Sequence, residues 1–94
     1  MKIRVTAVIR GLVQGVAFRH HTAQQAALNG VAGWVRNRPD GSVEACFEGE
    51  EGDVHAQLEW CRRGPAAARV EAVDWREEPY TGECTGFRIR YDHD

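Results

Sequence analysis

The tetrapeptide Arg38-Pro39-Asp40-Gly41 limits what this chain can become more than any other segment does. Proline pre-sets its own φ and Asp-Gly accommodates a positive φ, so the four residues have the chemistry of a tight turn. The sequence alternates on either side of it. Before the turn, Val31, Gly33, Val35 and Asn37 share one parity and Ala32, Trp34 and Arg36 the other; after it, Val43, Ala45 and Phe47 alternate with Glu44, Cys46 and Glu48. A period of two is that of half-buried strands. The pattern predicts a β-hairpin over residues 31–49, with Val43, Ala45 and Phe47 inward and Glu44, Cys46 and Glu48 outward.

The flanks complete a unit around this hairpin. Residues 2–10 alternate as a strand with Ile3, Val5, Ala7 and Ile9 on one face, and residues 11–17 read as a loop. "FRHHTAQQAALNG" then spaces Thr22, Ala23, Ala26 and Ala27 along one face of a helix that Gly30 terminates. Downstream, an acidic loop offers Asp53 as a helix cap, and Val54, Leu58 and Cys61 recur at helical spacing until Gly64-Pro65. Residues 69–76 and 86–91 read as strands, the latter with Phe87, Ile89 and Tyr91 on one face. The order β-α-β-β-α-β with a short extra C-terminal strand predicts an α+β, ferredoxin-like sandwich, an antiparallel sheet with two helices on one face. Ninety-four residues fit a single domain spanning 1–94.

Topology then predicts a site. Because β-α-β crossovers are right-handed, the strands over 2–10 and 31–37 run the same way, and their carboxyl ends share one edge of the sheet. The third strand lies between them, which sets the loop ending at Phe18 and the side chain of Asn37 about 10 Å apart, two strand spacings. A small anion can span that gap.

Charge limits how such an anion could be held. Net charge is −2 and the pI is about 6.1, so the molecule offers no general attraction for nucleic acid or an anionic membrane surface. Eleven of the twelve basic residues are arginine, and Lys2 is the only lysine, which excludes a mechanism needing an internal lysine. Cys46, Cys61 and Cys84 are widely spaced without a C-x-x-C pair and read as small apolar groups in a reducing cytosol. His55 and His93 show no ligand spacing, "EGEEGD" lacks the alternation of an EF-hand, and neither a metal nor a cofactor is expected. No stretch has the length of a membrane span or the apolar core of a signal peptide. The expectation is a cytoplasmic monomer.

Within the loop, Gln14, Gly15, Val16, Ala17 and Phe18 deliver the chain into a helix amino end, where N–H groups lack internal partners and the dipole is positive. Gly15 can adopt a positive φ and let successive amides curl around a phosphoryl group. Arg19, in the first turn, adds a planar fork that matches two phosphate oxygens. A turn glycine and a solvated arginine would read the same way from loop composition alone. Asn37 equally fits a turn-capping residue or an amide that orients a water while facing a ligand oxygen. His20 and His21 point away from Arg19 by about 100° per residue and read as surface groups.

The motifs "GLVQGVAFRHHT", "GVAGWVRNRPDGSVE", "EWCRRGP" and "GFRIR", in that order, resemble the acylphosphatase family over essentially the whole chain. The resemblance implies hydrolysis of the carboxyl-phosphate bond of a small-molecule acyl phosphate. It also implies that Gly15 through Arg19 form a phosphate cradle with Arg19 as the phosphate-binding arginine, and that Asn37 positions the attacking water. Ala17 stands where larger residues also occur in such proteins. A non-catalytic module of the same fold that binds phosphate or carbamoyl phosphate, such as occurs within larger carbamoyl-transferring proteins, would share these motifs. The chain's end shortly after the last strand favours the stand-alone enzyme. An RNA-binding module is disfavoured by the absence of aromatics on the first strand and by the negative charge.

Overall fold

The structure is a computed structural model that describes residues 1–91; the reading of His93 lies outside the described residues. In chain order the elements are β1 (Lys2–Leu12), α1 (Phe18–Asn29), β2 (Ala32–Asn37), β3 (Val43–Glu50), α2 (Glu51–Arg63), β4 (Arg69–Glu78) and β5 (Phe87–Arg90). They form one five-stranded sheet in the order β4-β1-β3-β2-β5. The first four strands pair antiparallel. The extra strand β5 adds parallel to β2 and forms the second edge, so the sheet is mixed and not wholly antiparallel as expected. This is the α+β ferredoxin-like fold that the order of elements predicts.

Alternation sorts the core as expected on the helix-covered face. Ile3, Val5, Ala7 and Ile9 of β1 meet Val35 of β2 and Val43, Ala45 and Phe47 of β3, all buried. α2 contributes Val54, Leu58 and Cys61. On α1 the buried stripe is Phe18, Thr22 and Ala26, one residue every four. Ala27, expected on that face, is exposed, because a stripe begun at Phe18 and repeated every four residues passes it by. Two buried polar groups are satisfied within this layer. Thr22 Oγ1 donates to Phe18 O at 2.7 Å, and Gln57 Nε2 donates to Thr22 O at 3.2 Å while its Oε1 accepts from Asn29 Nδ2 at 2.9 Å. Burial pushes the Cys61 thiol up to about 12, so it stays protonated and fills space as a small apolar group. Among the described residues no helix is long and apolar enough to cross a membrane.

Two boundaries and one pattern of burial differ from the sequence reading. β1 runs on to Leu12, since Gly11 and Leu12 pair with Val70 and Arg69 of β4 across a bulge after Arg10. α2 starts at Glu51, ahead of the expected cap, so Asp53 lies in its first turn and makes no capping bond. There it still opposes the positive end of the helix dipole. The larger difference concerns Cys46 and Glu48, expected to face outward. Both sit on the outer face, yet they are 0 % and 2 % exposed.

The connection between β4 and β5 is what covers them. These strands occupy opposite edges of the sheet, about 19 Å apart at the usual strand spacing, and residues 79–86 cross the outer face to join them. Glu48, on the central strand, anchors this crossing. Its Oε2 accepts from Thr81 N (3.1 Å), Thr81 Oγ1 (2.9 Å) and Gly82 N (3.3 Å), and its Oε1 accepts from Cys84 N at 3.3 Å. Arg4 Nη1 lies 3.3 Å from the same carboxylate. Burial alone would raise the carboxyl's pKa, but the hydrogen bonds from Thr81 and Cys84 outweigh it and bring the value from 4.5 down to about 2.

A carboxyl whose folded pKa lies below its unfolded value stabilises the fold above the unfolded value, and that stability is lost as pH falls toward the folded one. Glu48 therefore contributes about 3 kcal/mol at neutral pH, lost between about pH 4.5 and pH 2. Urea unfolding of the wild type should weaken steeply across that window. Glu48→Gln should be destabilised at pH 7 by an amount of that order and show a shallower acid limb; an unchanged limb would assign the acid sensitivity to other groups.

Candidate active site

Register brings the functional segments together. Val43, at the start of β3, pairs with Ile9 of β1 on one side and with Asn37 of β2 on the other. The carboxyl ends of β1 and β2 therefore share one rim with the amino end of β3 between them, as the crossover rule requires. Arg36 pairs with Arg90 in the parallel β2–β5 ladder, which brings Tyr91 to the level of Asn37. Strand ends from three elements and the start of α1 enclose a cleft of about 250 Å³.

The loop enters this rim with an unusual backbone. Gly15 has φ 76° and Ala17 has φ 59°, the only non-glycine residue with positive φ among those described. Two left-handed residues flanking Val16 curl the chain tightly before the first helical turn. The first helical bond here runs from His21 N to Ala17 O at 3.1 Å, so the N–H groups of Phe18, Arg19 and His20 precede any acceptor in the helix. Ala17 offers no side-chain cap, and the first turn holds no acidic residue. α2 is the contrast, with Glu51 and Asp53 at its positive end and Arg62 and Arg63 at its negative end. The dipole of α1 is left uncompensated where it faces the cleft.

Arg19 adds its charge to that end. It is half-buried and held from the far side of the cleft, with Nη1 donating to Arg90 O at 3.1 Å and the guanidinium 4.9 Å from the centre of the Tyr91 ring. Among the described residues it has no carboxylate partner, and it lines the cleft. Across the cleft, the side-chain amide of Asn37 makes no hydrogen bond with any described residue, although it is only partly exposed.

Of the residues singled out in the sequence, Gly15, Ala17, Phe18, Arg19 and Asn37 line this one cleft. Val16 does not, because its side chain packs against the core. The Phe18 side chain is buried against Trp60, ring centres 5.6 Å apart, so its backbone is the part that serves the loop. Gly64 makes room for that ring: a Cβ there would come within 2.7 Å of Phe18. The Gly-Pro stop of α2 thus also seats the start of α1. His20 reaches the cleft rim and meets the His21 ring edge-on. Gln14, read from sequence as the start of this loop, lines the cleft as well, and Val13, Ile89 and Tyr91, which were not assigned to it from sequence, complete the lining. The shared parity of Phe87, Ile89 and Tyr91 was visible there, but not the partner of β5 that brings them to this rim. No group of three or more His, Cys, Asp or Glu side chains comes together for a metal among the described residues.

The molecule is thus a ferredoxin-like sandwich with one rim where unpartnered amides, an arginine fork and an asparagine converge. The acylphosphatase family model matches residues 5–89. An acylphosphatase of Geobacter sulfurreducens is 56 % identical over 91 residues, covering 97 % of this chain and all of that one. The crystal structure of acylphosphatase from Bacillus subtilis superposes with a TM-score of 0.91 at 31 % identity, covering 95 % of this chain and 99 % of that one. The same fold forms 12 % of the T. kodakarensis HypF chain, with a TM-score of 0.81 and 30 % identity over 98 % of this chain. The chain belongs to the acylphosphatase family, and it is an enzyme of the hydrolase class.

The left-handed loop makes a prediction of its own. Any Cβ at φ 59° meets a steric penalty of about 1–2 kcal/mol that glycine escapes, and branching at Cβ crowds the backbone further. Ala17→Val should lose stability in urea unfolding, whereas Ala17→Gly should match or exceed the wild type. Equal effects of the two would show that handedness at residue 17 is not what the loop requires.

Proposed function

We propose that this chain, as a single domain over residues 1–94, hydrolyses the carboxyl-phosphate bond of small acyl phosphates as a monomer in the cytoplasm. The observation that carries this reading is the uncompensated amino end of α1 beside Arg19, with the free amide of Asn37 facing it across the cleft. The backbone from Gly15 to Arg19 cradles the phosphoryl oxygens, and the guanidinium grips two of them. Asn37 holds a water in line with phosphorus.

Chemistry explains why so few groups suffice. The leaving group is a carboxylate, which departs without a proton, so no general acid is needed. Water oxygen bonds to phosphorus as the bond from phosphorus to the acyl oxygen breaks, and the water's proton passes to a phosphoryl oxygen. The products are a carboxylate and inorganic phosphate. An amide orients water well and accepts protons poorly, which suits Asn37 to positioning. What the site supplies is charge screening and alignment, and the step uses neither metal nor cofactor.

Phosphate release from benzoyl phosphate in chelator tests this. Arg19→Ala and Asn37→Ala should each lower kcat/KM by about 10²–10³, the size of effect seen when one preorganised donor is removed from such sites. Arg19→Lys, which keeps charge without the fork, should recover only a small part. A folded wild type that binds phosphate but does not turn over would instead indicate a binding module for phosphate or carbamoyl phosphate.

A further inference from the structure

Gln14 lines the cleft at the start of the loop, but its amide reaches away to the β2–β3 hairpin. Nε2 donates to Arg38 O at 2.8 Å and to Ser42 O at 2.9 Å. Only the NH₂ end of an amide can meet two carbonyl oxygens, so the orientation of this side chain is fixed. The same two carbonyls already close the hairpin: Arg38 N donates to Ser42 O at 2.8 Å and Gly41 N to Arg38 O at 3.1 Å. Each oxygen therefore accepts two hydrogen bonds, the capacity of its two lone pairs. Asp40 stiffens the tip further, its Oδ1 accepting from Ser42 N at 3.0 Å and from Ser42 Oγ. The hairpin tip is thus an internally bonded body, and Gln14 ties it to the anion loop.

Asn37 lies one peptide bond from Arg38. Since its own amide is unpartnered among the described residues, the backbone at the hairpin decides where that amide sits. We infer that Gln14 is a positioning residue for the hydrolytic step: its paired hydrogen bonds fix the separation between the loop Gly15–Arg19 and the Asn37 side chain. This rests on the reading of those residues given above. Alignment of a nucleophile is sensitive to displacements of an ångström or less, and losses of about 10²-fold follow from such shifts. Binding of phosphate depends on the loop and Arg19 alone and should not share that sensitivity.

The test compares wild type, Gln14→Ala, Gln14→Met, Asn37→Ala and the double variant Gln14→Ala/Asn37→Ala. The readouts are kcat on benzoyl phosphate and competitive inhibition by inorganic phosphate. Methionine keeps the length of glutamine without its donors, so it separates loss of the hydrogen bonds from loss of packing. Both Gln14 variants should lose about 10–100-fold in kcat, with phosphate inhibition within about threefold of wild type, and the double variant should be no slower than Asn37→Ala. Wild-type kcat in Gln14→Met beside a slow Asn37→Ala would overturn the role of Gln14 and leave the reading of the site intact. Losses that multiply in the double variant, or phosphate affinity falling in step with kcat, would likewise overturn it, because Gln14 would then act on the loop rather than through Asn37. A wild-type rate in Asn37→Ala would overturn the reading of the site itself.

Discussion

The antiparallel pairing of β3 with both β1 and β2 is the constraint on which the rest of this structure depends. A strand flanked on both sides by antiparallel neighbours makes those neighbours parallel to each other, so their carboxyl ends emerge at one rim. The crossover helix α1 must leave from that rim, with its positive amino end there. Nothing catalytic needs to be specified for this to happen. An exit loop, a helix dipole and the end of a hairpin strand are brought within reach of one small ligand by the order of strands alone. The sequence then has to place only a few side chains on this frame.

The two helices show how local sequence turns the frame into a site. α2 has acidic residues at its first turn and arginines at its last, the arrangement that favours an isolated helix. α1 has neither, enters through a left-handed alanine and places an arginine where it opposes the dipole. Each of these choices costs the folded state something. Together they concentrate positive potential in the cleft, and they become favourable when an anion occupies it.

Much of this was legible in the residues, and the parts that were not share a cause. The hairpin, both helices and the order of elements follow from periodicity and turn chemistry, and the common rim of Gly15, Arg19 and Asn37 follows from the handedness of crossovers. Asp53 was misplaced because an acidic residue before a periodic run fits a cap or a first turn equally well. Cys46 and Glu48 look solvent-facing by parity, and parity holds. What covers them is a segment without periodicity, whose path is set by where β4 and β5 must pair. The place of Tyr91 and the tie from Gln14 to the hairpin were not legible for a related reason: both depend on contacts between segments far apart in the chain, Arg19 with Arg90 and Gln14 with Arg38. Local patterns carry no record of such pairings.

The outer face of the sheet, remote from the cleft, has a part in its geometry through that same crossing segment. β4 and β5 lie at opposite edges, so the eight residues 79–86 have a maximum reach of about 27 Å for a gap of about 19 Å. The excess is taken up where the segment turns, at Gly82 with φ 71° and Gly86 with φ 72°. Glu48 pins it with four hydrogen bonds over the central strand. The last residues of β5 then reach the rim, where Arg90 O holds the guanidinium of Arg19 and the Tyr91 ring lies against it. The buried carboxylate on one face and the arginine on the other are thus linked through one stretch of chain, from Thr81 to Arg90. Glu48 and Arg19, although on opposite sides of the sheet, hold the two ends of that same stretch.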